Sequence, residues 1–368
     1  MTTDILDQVD LCTQCEECLD ICPTYQVTKN NFLSPMRRLE TAASIFRGDK
    51  STTEEINSVY SCLKCEACNV VCPQEIDIAK IMRKSQTELI KRRQGPFEKI
   101  NEMVEGNLKL GNTVNGDPNR RLEWLPEEFV PRESDTLLYM GCMPSYITKD
   151  YATSTYLTLK KLGVDFMILE DEGCCGAFTY ELGRVDLAPE MFEKNVERFK
   201  RLGIKRVITG CVGCYHCFNK YYKETIGQVN FEVLHVTQVL PDLLKQKSIK
   251  LKDQKVKVTC LDSCASGRME GIYEEPRDAL KACGYEIEEM KENRENAPCC
   301  GAGGGVRTFY RELSMDMGNR TLDMAKTDTI VATCPTCIFH LNYISRKREK
   351  GKKVVSVTEL VLNSLDSI

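Results

Sequence analysis

The sequence has no apolar run long enough to cross a bilayer. Its longest stretches, such as Val354–Leu362, are broken by Ser, Thr and Glu and fall well short of the roughly 20 residues a spanning helix needs. It also lacks a basic excess: 50 Lys and Arg stand against 54 Asp and Glu, a net charge of −4, which argues against nucleic acid as a partner. Met1–Asp10 carries three acids and no apolar stretch, so no signal peptide is expected and the chain reads as cytoplasmic. No GxGxxG leads from a strand into a helix, so neither flavin nor NAD is expected on it. Tryptophan occurs once and histidine three times.

Cysteine, by contrast, occurs 21 times in 368 residues. A disulfide framework of that density suits a small secreted chain without a large core. This chain is long, is 42% hydrophobic and 28% charged, and places most of its cysteines in CxxC and CC groups. Such spacing suits metal.

The first region, 1–94, contains one frame twice: Cys12-Thr-Gln-Cys15-Glu-Glu-Cys18-Leu-Asp-Ile-Cys22-Pro23 and Cys62-Leu-Lys-Cys65-Glu-Ala-Cys68-Asn-Val-Val-Cys72-Pro73. Ser34–Phe46 and Thr52–Tyr60 read as short helices between the two. An amphipathic helix follows through Ile76, Ile78, Ala79, Ile81, Met82, Leu89 and Ile90. The frame is the bacterial ferredoxin run, in which three cysteines line one cubane and the fourth, before proline, completes the other. Applied here, Cys12, Cys15, Cys18 and Cys72 hold one [4Fe-4S] cluster, and Cys62, Cys65, Cys68 and Cys22 hold the second. Zinc needs only four ligands in a closed site and does not call for this three-plus-one frame.

Residues 95–134 show Gly, Asn, Pro and Asp without sustained period and read as a linker, with Trp124 packing it onto a neighbouring domain. Two longer copies follow, over 135–247 and 248–368. The first runs from a strand Thr136–Met140 to Cys142, a helix Tyr151–Leu162, a strand Asp165–Leu169, Cys174-Cys175-Gly176, a helix Glu190–Leu202, and a strand Arg206–Thr209 that delivers Cys211-x2-Cys214. The second repeats the order with a strand Lys255–Cys260, Cys264, a helix Pro276–Ala282, a strand Tyr285–Glu289 and Cys299-Cys300-Gly301. A helix near Arg311–Ala325, a strand Thr329–Ala332 and Cys334-x2-Cys337 complete it. Each copy closes with a further helix and a strand, Phe231–Val236 and Lys353–Val357. Alternating strands and helices predict two related α/β domains with cysteines at strand ends. Five cysteines per copy, two of them adjacent, fit a larger cluster better than one tetrahedral ion. Gly176 and Gly301, and the run containing Gly303 and Gly304, would let backbone approach that cofactor. A structural zinc or a buried thiol cluster is the plainer alternative.

This arrangement resembles the cysteine-rich CCG-domain iron–sulfur proteins, most closely the D subunits of heterodisulfide reductases, over residues from about 10 to 360 and with all eighteen motif cysteines present. The fold class is then α+β: an N-terminal, mainly helical bis-[4Fe-4S] ferredoxin-type domain followed by two tandem α/β CCG domains. The resemblance implies a noncubane [4Fe-4S] cluster in each CCG domain, held by Cys142, Cys174, Cys175, Cys211 and Cys214 and by Cys264, Cys299, Cys300, Cys334 and Cys337. It implies a small disulfide cleaved to thiols between the two, and a partner that exchanges electrons, either a flavoprotein or a membrane cytochrome b subunit. Membrane association would then come through that partner. Relatives also serve as iron–sulfur subunits of flavin-linked glycolate, lactate or glycerol-3-phosphate dehydrogenases, which leaves electron relay as the alternative role.

Three cysteines lie outside the motifs. Cys217 reads as a buried thiol beside the ligands, Cys260 as a strand end and Cys283 as core. His216 and His340 follow the CxxC pairs; each is read first as a packed histidine and second as a proton source for a product thiolate. His235 reads as structural. Lys149, Arg184, Arg268, Arg307 and Arg311 are candidates to draw in an anionic substrate, with Arg268 and Arg307 nearest the cysteines in sequence.

Overall fold

The computed structural model of the protein describes residues 2–95, 98–246, 249–252 and 254–365. The boundary expected between 247 and 248 lies outside the described residues. In the first region the helix Pro35–Arg47 starts where Ser34 Oγ accepts the Arg37 N–H at 3.2 Å and proline needs no donor, and it ends at Gly48 with φ 105°. Thr52 and Glu55 form a reciprocal capping box that starts Thr53–Tyr60. These helices and Ile78–Lys91 bury Leu39, Ala42, Ile45, Val59, Ile81, Met82 and Leu89 against one another. Between them they clamp the two cysteine frames.

The segment expected to be a linker contains one helix of 13 residues. Helix Glu98–Leu110 buries Ile100, Val104 and Asn107, spaced four and three apart on one face. Ile100 and Val104 join the core of the first region, and Asn107 Nδ2 donates to Thr179 Oγ1 at 3.0 Å. Only a narrow apolar stripe is needed there, and Gly106 and the flanking asparagines conceal its period. Trp124 is buried against Leu138, Met140 and Ala152 of the first copy.

The two copies share one topology. In the first, parallel strands β1 (Thr136–Tyr139), β2 (Arg206–Thr209) and β3 (Glu232–His235) lie in that order. In the second, β4 (Lys257–Leu261), β5 (Glu286–Ile287), β6 (Thr329–Ala332) and β7 (Lys353–Ser356) lie in the order β5-β4-β6-β7. The strand expected at Asp165–Leu169 is reduced to one parallel bridge, Leu137 to Met167, at the edge where β5 lies in the other copy. Beyond it the chain turns so that the Glu172 carboxylate receives the N–H groups of Met140 and Gly141 at 2.9 and 2.8 Å. Strand β1 is buried along its whole length, as a sheet covered on both faces requires. The copies pack together through Leu162, Leu240 and Leu244 against Val258, Leu280 and Val361. A hydroxyl network of Ser154, Thr155, Ser356 and Thr358 adds to that contact. No helix among the described residues is long and apolar enough to cross a membrane.

His235 ends β3 and caps the next helix, with Nδ1 2.7 Å from Thr237 Oγ1, and its ring is fully buried. Burial pushes its imidazole pKa down to about 3. Between that value and the ordinary ~6.5 the unfolded chain binds a proton that the folded chain refuses, so stability falls as pH falls, by up to about 1.4 kcal/mol per unit. His235→Asn keeps a capping side chain and removes the titration. Its thermal midpoint is expected to drop less than that of the native protein between about pH 7.5 and 5. Equal drops would show that His235 does not set the acid sensitivity.

Candidate iron–sulfur centres

The loop Cys12–Cys18 and the loop Cys62–Cys68 curl the same way. Gln14, Glu16, Lys64 and Glu66 all adopt positive φ, between 52° and 66°, on either side of the middle cysteine. Left-handed backbone at non-glycine residues is costly and persists where the surroundings impose it. Here it brings three successive cysteines to the wall of one cavity, a feature that the residue types themselves do not announce.

Two small cavities result, each of about 20 Å³. One is lined by Cys12, Cys15, Cys18 and Cys72 with Met36, Leu39 and Ile76, the other by Cys62, Cys65, Cys68 and Cys22 with Arg38 and Ile78. The structure thus brings the cysteine before each proline to the opposite frame. The first cavity is at the surface, with Cys15 exposed, whereas Cys22, Cys62 and Cys65 of the second are buried. Buried Arg38 crosses the second, with Nη1 3.8 Å from Cys22 Sγ and Nη2 3.1 Å from Ser61 Oγ.

In the first copy the cysteines form a contact chain: Cys142 to Cys174, Cys174 to Cys175, Cys175 to Cys214, Cys214 to Cys211. The second copy repeats it in the same order: Cys264 to Cys299, Cys299 to Cys300, Cys300 to Cys337, Cys337 to Cys334. Cys300 and Cys337 stand 3.1 Å apart. Cys211 and Cys334 each occupy the N-cap of the helix after a central strand, where unpaired N–H groups favour a thiolate. Gly141 lets the chain pass close, because a Cβ there would lie 3.0 Å from Cys214 Sγ.

This donor set fits iron–sulfur clusters. Burial raises the thiol of Cys68 and pushes that of Cys18 up to about 12, so a bound cation is needed to hold such groups as thiolates. Iron supplies that charge, and soft thiolates select it.

The 4Fe-4S dicluster domain model matches residues 8–76, and the cysteine-rich domain model matches 136–219 and 258–342. The D subunit of the dihydromethanophenazine:CoB–CoM heterodisulfide reductase of Methanosarcina mazei is 31% identical over 99% of this chain and 96% of its own length. The chain belongs to the CCG iron–sulfur family that includes the D subunits of heterodisulfide reductases. The EtfAB:quinone oxidoreductase of Syntrophomonas wolfei is 32% identical over 66% of this chain but only 36% of its own length. A hypothetical protein from Helicobacter pylori, known from its crystal structure, aligns over 99% of this chain and 75% of its own with a TM-score of 0.61; at 12% identity that likeness shows a shared fold alone.

Within this CCG protein Tyr151 of the first copy is buried against the second: its hydroxyl donates to Thr333 O at 3.3 Å, next to Cys334, and its ring lies within electrostatic reach of Cys211 as well. The ferredoxin-type part touches the second CCG copy directly. The thiol of Cys65 meets that of Cys299, a contact that holds Cys65 below the ordinary thiol range.

Several residues expected at a substrate or cofactor are engaged by protein groups. A Cβ on Gly304 would meet Cys62 O at 2.6 Å, and one on Gly303 would meet Leu63 O at 3.2 Å, so these glycines seat the second copy on the ferredoxin-type frame. Gly176 and Gly301 have φ near 85° and turn the chain tightly against Phe192 and against Ser314 O; the Gly176 N–H also reaches Cys174 Sγ at 3.4 Å. His216 is buried with Nδ1 bonded to Glu270, and His340 Nε2 bonds Ser314 Oγ at 2.9 Å, so both are held by protein groups. Arg268 is tied to three backbone carbonyls, Lys149 pairs with Glu123, and Arg184 pairs with Asp186. Arg307 lies over the Phe339 ring at 4.5 Å and Arg311 over Tyr343. Cys217 is buried with its thiol 3.3 Å from Cys175 O, while Cys260 and Cys283 sit in the core of the second copy. The helix after Cys214 loosens into a π turn over Cys217–Tyr221, which its regular counterpart Pro335–Lys347 lacks.

Proposed function

We propose that this chain is a heterodisulfide reductase-like catalytic subunit, which reduces a disulfide of the coenzyme M–coenzyme B type to two thiols with electrons taken from a partner protein. One observation carries the reading: each CCG copy assembles a complete five-cysteine set in the same contact order, with Tyr151 near Cys211 of one and Cys334 of the other. Cys12, Cys15, Cys18 and Cys72, and Cys62, Cys65, Cys68 and Cys22, would hold the two cubane clusters, and the CCG cysteines two noncubane ones. When bound, these clusters supply electrons singly and iron sites that can take up sulfur. The reaction balances as one disulfide, two electrons and two protons giving two thiols.

The chain's own residues give that reaction its setting. A cavity of about 620 Å³ opens between the copies, bounded by Tyr146–Tyr151 just after Cys142 and by Ile338–Arg346 just after Cys337. Lys149, Arg346 and Lys353 line it together with Asp150 and Glu359, and Tyr151, which lies near Cys211 and Cys334, forms part of its wall. The electron partner is a flavoprotein or a membrane cytochrome b subunit, and the chain is cytoplasmic, joined to a membrane only through such a partner.

The second reading is electron relay for a flavin-linked dehydrogenase, favoured by the likeness to the EtfAB:quinone oxidoreductase. Low-temperature EPR on anaerobic, oxidised protein separates the two. A paramagnetic signal that appears only with coenzyme M or coenzyme B thiol is the expected result. Reduced-cubane signals alone, indifferent to thiol, would favour relay.

A further inference from the structure

The ferredoxin-type frame meets the second CCG copy at a cysteine, where the thiols of Cys65 and Cys299 touch, and one side chain occupies the junction. Arg268 Nε donates to Cys65 O at 2.8 Å, and Nη1 donates to Ala297 O at 2.7 Å and Glu295 O at 3.1 Å. It therefore ties the loop of one cubane cage to the segment that leads into Cys299 and Cys300. A guanidinium has five N–H donors. Three are spent on these carbonyls. The remaining two are on Nη2, which is buried and has no hydrogen-bond partner among the described residues. A buried charged donor left unpaired costs several kcal/mol by general experience, so a site that retains one is short of an acceptor. The thiols on which this charge acts are those of Cys65, Cys264 and Cys299, which come from both sides of the junction, and Tyr273 feels it too. The first copy has no counterpart: the fourth residue after its leading cysteine is Tyr146, where the second copy has Arg268.

We propose that Arg268 is the positioning residue of this junction: its free Nη2 donors serve the iron–sulfur groups held by Cys65 and by Cys264 and Cys299, and its charge favours their reduced forms. Hydrogen bonds and positive charge at cluster sulfur raise a reduction potential, because reduction adds an electron to an already anionic group. Arg268 thus makes the second CCG copy the favoured first acceptor of electrons leaving the cubanes. This holds whether the chain reduces a disulfide or relays electrons.

The test is a potentiometric titration followed by EPR on the full-length, anaerobically purified protein and on R268Q and R268K, with iron and sulfide content measured in each. R268Q is expected to make reduction of at least one cluster tenfold less favourable, a shift of about 59 mV for one electron. R268K, which keeps the charge but loses the Nη2 donors, is expected to titrate between the native protein and R268Q. An R268Q protein with full iron and a native midpoint would overturn the proposal, as would an R268K midpoint displaced as far as that of R268Q. If R268Q fails to retain iron, R268K with full iron decides alone: a lowered midpoint supports the proposal and a native one ends it.

Discussion

Cys72→Ser is expected to abolish the cluster of the surface cage lined by Cys12, Cys15 and Cys18, and to spare the inner one. Cys22→Ser is expected to do the reverse. The reason is the crossing of the two frames: Cys22 lines the cavity of Cys62, Cys65 and Cys68, and Cys72 lines that of Cys12, Cys15 and Cys18. Each variant should lose about four irons per chain, the content of one cubane. The spared cluster identifies itself by its surroundings. With Cys15 exposed, the outer cluster is open to chelators, whereas the inner cage is closed by Arg38, Pro35 and Ile78. After Cys72→Ser the remaining cubane signal should therefore resist a chelator, and after Cys22→Ser it should bleach quickly. The opposite pattern would mean that each frame holds its own four cysteines. Cys22→Ser should also weaken contact with the second CCG copy, because Cys65 of the same cage meets Cys299.

Much of this architecture can be read from the residues, because cysteine spacing and hydrophobic alternation both act locally. The repeated frame identifies the ferredoxin-type cages, and the strands Arg206–Thr209 and Thr329–Ala332 lie where their sequence places them. What escapes is set by contacts distant in sequence. The helix Glu98–Leu110 is stabilised by burial of Ile100 and Val104 against the first region, which local propensity around Gly106 does not foretell. Arg268 stands four residues from Cys264 and so looks like a substrate residue, yet its partners are Cys65 O, some 200 residues earlier, and Ala297 O. Gly303 and Gly304 resemble a cofactor loop until the backbone of Cys62 and Leu63 is seen against them. Proximity in sequence to a ligand therefore says little about which face of the ligand a side chain takes.

Arg277→Met is expected to destabilise the second CCG copy by about 3–5 kcal/mol, the loss found when one partner of a buried ion pair is removed. Arg277 is 1% exposed and holds Asp262 bidentately at 2.7 and 2.8 Å, and Glu289 at 2.6 and 2.9 Å. Asp262 is itself buried, accepts the Arg294 N–H at 2.7 Å, and sits between the end of β4 and Cys264. Without the guanidinium its charge stays in the interior unpaired, and the loop carrying Cys264 loses its anchor. The first copy solves the same problem with a different acid. There Glu172, paired with Arg121, receives the N–H groups just before Cys142. A buried pair need not stabilise relative to an apolar pair of the same shape, so the double variant Asp262→Asn with Arg277→Met should recover a large part of the loss. The measurement is the urea unfolding midpoint of cluster-loaded protein, read with the slope unchanged. If R277M costs less than about 1 kcal/mol, or if the second substitution only adds to the loss, the stranded charge on Asp262 is not what that arginine prevents.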